Sequence, residues 1–61
     1  MDKEEIKKLR KEANLTQTQL AQITGDSLRT VQYWEAGRHN IEKFKGIFLK
    51  KELLKLIKKN S

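Results

Sequence analysis

Sixty-one residues with no cysteine and a single histidine, His39, exclude a disulfide framework, a thiolate zinc site and any metal centre or proton relay built on several imidazoles. The net charge is +6 and lies at one end: residues 1–37 balance to zero, whereas residues 38–61 carry Arg38 and seven lysines against Glu42 and Glu52. Such asymmetry suits a polyanionic partner, either nucleic acid or an anionic membrane surface, and equally a lysine-rich tail that only keeps an apolar helix soluble.

The first predicted element opens at Asp2, which with Glu5 three residues later forms a possible capping box. Ile6, Leu9, Arg10 and Ala13 then share one helical face, and Asn14 suits a left-handed stop, so a helix is expected over residues 3–13. Thr16 and Gln19 form a second capping box, opening a short helix over 17–24 with Leu20 and Ala21 facing inward. Gly25 allows the sharp turn that follows. Ser27 or Asp26 caps a third helix over 27–36, and Gly37 stops it. Within it Val31 and Trp34 face inward, while Arg29, Gln32, Tyr33 and Ala36 face outward.

Arg38, His39 and Asn40 form a short polar connection, and Asn40 is a candidate cap for a last, long helix within 41–59. Gly46 is its one weak point, costing about 1 kcal/mol relative to Ala. Ile41, Phe44 and Phe48 have the spacing to close the core. Leu49, Leu53, Leu54, Leu56 and Ile57 supply more apolar surface than so small a core can cover. A domain of this size without staples gains stability by oligomerising. A homodimer joined through Leu53, Leu54, Leu56 and Ile57 is therefore expected. No stretch reaches transmembrane length and no secretory pattern opens the chain, so one cytoplasmic all-α domain over residues 1–61 is expected. No nucleophile–base pair with an orienting partner and no phosphate-cradling glycine loop occurs, so neither catalysis, a cofactor, a metal nor a small-molecule ligand is expected.

From Ile6 to Ile41 the chain resembles the phage-repressor (Cro-type, XRE-like) helix-turn-helix family. The residues that carry the resemblance are Leu15-Thr16-Gln17, Leu20-Ala21, Gly25, Ser27, Thr30-Val31 and Trp34-Glu35-Ala36-Gly37. Thr24 stands where that family usually has a core aliphatic, and Asp26 replaces a common small or aliphatic residue. The resemblance implies a lambda-repressor-like bundle of four or five helices, with a helix-turn-helix core at about 16–37. It also implies double-stranded DNA as the partner, read in the major groove by the third helix.

Base-reading roles carry over by resemblance to Ser27, Leu28, Arg29, Gln32 and Tyr33. Arg29 suits guanine and Gln32 adenine; Leu28 suits a thymine methyl or packing on the second helix, and Tyr33 a base or a phosphate. The resemblance places Gln17 on the DNA backbone at a helix N-terminus. Arg38, His39, Asn40, Lys43 and Lys45 follow the third helix and are candidates for phosphates, each with solvated surface charge as the alternative. By the same resemblance Arg10 and Glu35 form an internal ion pair rather than a DNA contact.

Three functions fit: a dimeric site-specific regulator (repressor, antitoxin or restriction controller), a protein-interaction module on the same fold, or a membrane-active basic helix. The polar outer face of the third helix favours the first, since an apolar one would have favoured the second.

Overall fold

Four helices in series, α1 (Lys3–Glu12), α2 (Gln17–Thr24), α3 (Leu28–Ala36) and α4 (Lys43–Asn60), form an all-helical bundle in the computed structural model, which describes residues 1–60. The domain expected over 1–61 runs one residue further, and Ser61 lies outside the described residues. Among the described residues there is no strand and no fifth helix.

Each boundary has a local cause. Asp2 accepts the amide of Glu5 at 2.7 Å and starts α1, and Asn14 at φ 59° turns the chain out of it. At α2 the box is reciprocal: Thr16 Oγ1 accepts the Gln19 amide at 3.1 Å, and Gln19 Oε1 accepts the Thr16 amide at 2.9 Å. Ser27, not Asp26, caps α3 by accepting the Thr30 amide at 3.2 Å. Helix α3 closes with two hydrogen bonds around Gly37: the Gly37 amide donates to Trp34 O and the Arg38 amide to Tyr33 O. Helix α4 is capped by a residue that the sequence reading passed over. Glu42 accepts the amides of Phe44 at 3.0 Å and Lys45 at 3.1 Å, whereas Asn40 lies too early to reach them.

The corner between α2 and α3 depends on Gly25 for backbone conformation rather than for space. Its φ is +74°, yet a Cβ built there meets nothing within 4 Å. Thr24, just before it, folds its hydroxyl back onto the Ala21 carbonyl at 3.2 Å, which lets a polar residue occupy this half-buried position.

The core gathers Ile6, Leu9 and Ala13 from α1, Leu20 and Ala21 from α2, Val31 and Trp34 from α3, and Ile41, Leu49 and Leu53 from the C-terminal segment. Helix α4 runs parallel to α1. Lys50 pairs with Glu5 at 3.1 Å near the start, and the Asn60 amide reaches Ala13 O at 3.4 Å near the end.

The face that α4 buries differs from the expectation. Gly46, Leu49 and Leu53 are buried, and Leu56 and Ile57 pack half-buried against the same core. Leu53 is completely covered within the monomer, so it is a core residue and not an interface residue. Phe44 and Phe48, expected to close the core, are 75% and 48% exposed. At 100° per residue they project from the opposite side of the helix to Leu49 and Leu53. Gly46 does not break the helix, and it packs beside Ile41: a Cβ there would lie 3.4 Å from Ile41 Cγ2, at the edge of ordinary contact.

Because the need at Gly25 is for positive φ alone, Gly25→Ala should lower stability by about 1 kcal/mol, whereas Gly25→Asn should lower it by less. Urea unfolding of the three proteins measures this, and equal losses for Ala and Asn would show that the corner has another requirement.

Candidate nucleic-acid interface

Helix α3 has two unlike sides. Val31, Trp34 and Glu35 are buried, while Leu28, Arg29, Gln32 and Ala36 are exposed and Tyr33 is half-buried. Arg29 and Gln32, three residues apart, therefore stand together on the outer surface. One supplies a fork of donors, and the other a donor and an acceptor, the functional groups that complement base edges.

The buried side of α3 is held by an ionic network. Arg10 Nε donates to Glu35 Oε2 at 2.7 Å and Nη2 to Oε1 at 3.1 Å, a bidentate pair whose side chains are only 13% and 4% exposed. Arg10 Nη1 also donates to the Leu15 carbonyl at 2.9 Å. The Gln17 amide donates to Glu35 Oε1 at 3.1 Å. One carboxylate near the end of α3 is thus tied to α1, to the loop after it and to the first residue of α2. Gln17 faces the network from the N-terminus of α2, so its side-chain amide is already engaged within the chain.

Ser27 sits at the start of α3 and its hydroxyl is engaged locally, accepting the Thr30 amide and lying 3.0 Å from Thr30 Oγ1. Leu28, the residue with two sequence readings, is 41% exposed. At the other end of α3, Tyr33 stacks on His39 with ring centroids 5.0 Å apart and planes within 14°, and the Arg38 guanidinium lies 5.9 Å from the tyrosine centroid. This grouping orders the polar connection after α3, and no sequence spacing suggested it. Arg38, His39, Asn40 and Lys43 are all exposed.

Lys45 differs from its neighbours. Its ammonium bonds both Asp26 oxygens, at 2.9 and 3.1 Å, and lies 6.0 Å from the Trp34 ring centroid. Asp26, in the turn between α2 and α3, therefore ties that turn to the first turn of α4. The departure at Asp26 was the sequence signal for this contact, although nothing in the sequence named its partner. Among the described residues no group of acidic or histidine side chains is arranged to hold a metal ion, and no helix is long and apolar enough to cross a membrane.

A family model for helix-turn-helix domains matches residues 6–44, more than half of the chain. No curated protein and no solved structure gives a significant match.

Glu42 has its carboxyl held below the usual carboxylate value by the backbone amides of Phe44 and then Lys45, against a smaller opposing effect of desolvation, with the Lys45 charge contributing least. A depressed folded value means that the cap is at full strength above the ordinary carboxyl pKa and is lost as pH falls through the folded one. The amide protons of Phe44 and Lys45 should therefore titrate together with a midpoint below 4.5, and this titration should vanish in Glu42→Gln. Amide chemical shifts followed from neutral to acid pH check this; a midpoint above 4.5 would contradict the capping role.

Proposed function

The chain belongs to the helix-turn-helix family of DNA-binding regulators, and from that premise we propose that it is a Cro-type repressor that acts as a homodimer on a near-palindromic operator. The observation that carries the reading is the two-sidedness of α3. Its inner side is fastened by Val31, Trp34 and the Glu35 network, while Arg29 and Gln32 stand free of the core on the outer side. A helix held this way can enter a major groove as a rigid body, and its exposed groups are those that distinguish guanine and adenine.

In this reading Arg29 and Gln32 carry most of the discrimination, Leu28 meets a thymine methyl, and Tyr33 and Ser27 contact the edges of the same site. Arg38, His39, Asn40 and Lys43 meet phosphates beyond the end of α3. Gln17 approaches the backbone from the N-terminus of α2 while its side chain braces Glu35. Lys45 adds to the positive field, but its ammonium is shared with Asp26, so its share of phosphate binding is the smallest of the set. The rival reading, an antitoxin-like or adaptor module that recognises protein through the same fold, lacks an apolar outer face on α3.

Selection of bound sequences from a randomised duplex library identifies the preferred site. On that site Arg29→Ala should cost ~1–3 kcal/mol and relax preference at one base-pair position, because a bidentate contact to one base is lost. Lys43→Ala should weaken all duplexes about equally and flatten the slope of log affinity against log salt by about one unit. If Arg29→Ala and Gln32→Ala both leave the ratio of selected to scrambled affinity unchanged, α3 is not the reading element and the proposal fails.

A further inference from the structure

The outer side of α4 is apolar at one end and cationic at the other. Phe44, Ile47 and Phe48 share a surface at spacings of three and four, exposed by 75%, 52% and 48%, and Leu54 at 46% flanks it. Farther along the same side follow the exposed residues Lys51, Lys55 and Lys59. Core-facing Leu49 and Leu53 lie on the opposite side, so the outward part of this patch is left uncovered by the monomer's core.

We propose that a second copy of this chain covers the patch, through antiparallel contact of the two α4 helices about Ile47, and that this dimer forms on DNA rather than before it. The inference rests on the DNA-reading assignment above and adds to it the face and the timing of assembly. Three observations lead to it.

The first is patterning. In antiparallel contact the Phe44–Phe48 segments of both copies lie against each other, and each lysine half runs past the start of the other helix. Parallel contact would stack lysine on lysine. The second is area. Taking roughly 200 Å² for an aromatic side chain and somewhat less for Ile or Leu, the four residues leave about 400 Å² of apolar surface per copy. Two copies then hide about 800 Å², short of the ~1,200–2,000 Å² of interfaces that are stable by themselves. The third is charge: each copy carries +6, all of it from residues 38–61 that include the patch. Repulsion between copies is relieved when DNA phosphates neutralise them. Two copies are also what a nine-residue reading helix requires, since one α3 spans only a few base pairs.

The experiment uses the full chain and the half-site found by library selection, as one half-site and as two half-sites a helical turn apart. The parent should sediment as a monomer at micromolar concentration in dilute buffer. On the double site its second copy should bind about 5- to 150-fold tighter than on the single site, the usual range of coupling between two sites. Phe44→Gln and Phe48→Gln, both at exposed positions, should keep the circular dichroism of the parent and its single-site affinity within about twofold. Both should lose the cooperative factor. An arm without DNA separates the two readings: concentrated sulfate, which screens charge and favours apolar burial, should dimerise the parent but neither variant. Absence of any preferred half-site would defeat the DNA reading and leave the sulfate arm to judge the patch. A dimer stable at micromolar concentration without DNA or sulfate would overturn the proposal. So would cooperativity that survives both substitutions, because the patch would then serve another occupant.

Discussion

A carboxylate almost wholly removed from water must be met by donors, and Glu35 is met by three: two arms of the Arg10 guanidinium and the amide of Gln17. The requirement fixes more than one contact. Arg10 comes from α1, Gln17 opens α2, and the remaining arm of Arg10 holds the Leu15 carbonyl in the loop between them. Helix α3 cannot rotate about its axis or slide without breaking the fork. The apolar contacts of Val31 and Trp34 supply stabilisation by burial, which is non-directional. The ionic network supplies direction, and direction decides which residues of α3 reach outward.

The rest of the molecule follows from holding α3 at that angle. Gly25 in a left-handed conformation turns the chain between α2 and α3, and the Lys45–Asp26 pair fastens this turn to the start of α4. Helix α4 lies parallel to α1 and closes the core with Leu49 and Leu53. The C-terminal excess of positive charge begins directly after α3, where Arg38 and His39 are gathered on Tyr33. That charge and the exposed side of α3 are contiguous because the connection from α3 to α4 is short and ordered by that stack.

Much of the fold was legible because its signals are local. The Thr16–Gln19 box and the Ser27 cap involve residues three apart, and Gly25 and Gly37 mark their stops by type alone. Helix α4 was harder because it carries two apolar surfaces. Phe44, Ile47 and Phe48 share one and Leu49, Leu53 and Leu56 the other, and helical spacing fits both equally well. Only packing against α1 and α2 decides between them, and the decision moved Leu53 into the core and the two phenylalanines out of it. The Asp26–Lys45 pair, distant in sequence, and the Tyr33–His39 stack across the end of α3 left no periodic trace. Glu42 was missed as a cap because Asn40 is the commoner capping type, although the chain enters the helix two residues later.

The central claim is that the Glu35 network, rather than apolar contact alone, sets α3 in place. The direct measurement is a double-mutant cycle of Arg10→Ala and Glu35→Ala, followed by urea unfolding with an osmolyte present throughout so that the weakest variant still folds. Either single substitution strands the other charge in a buried site. Each should then cost ~3–5 kcal/mol, and the double variant should cost no more than either single one. Small, additive losses below about 1 kcal/mol, as for an exposed pair, would contradict the account.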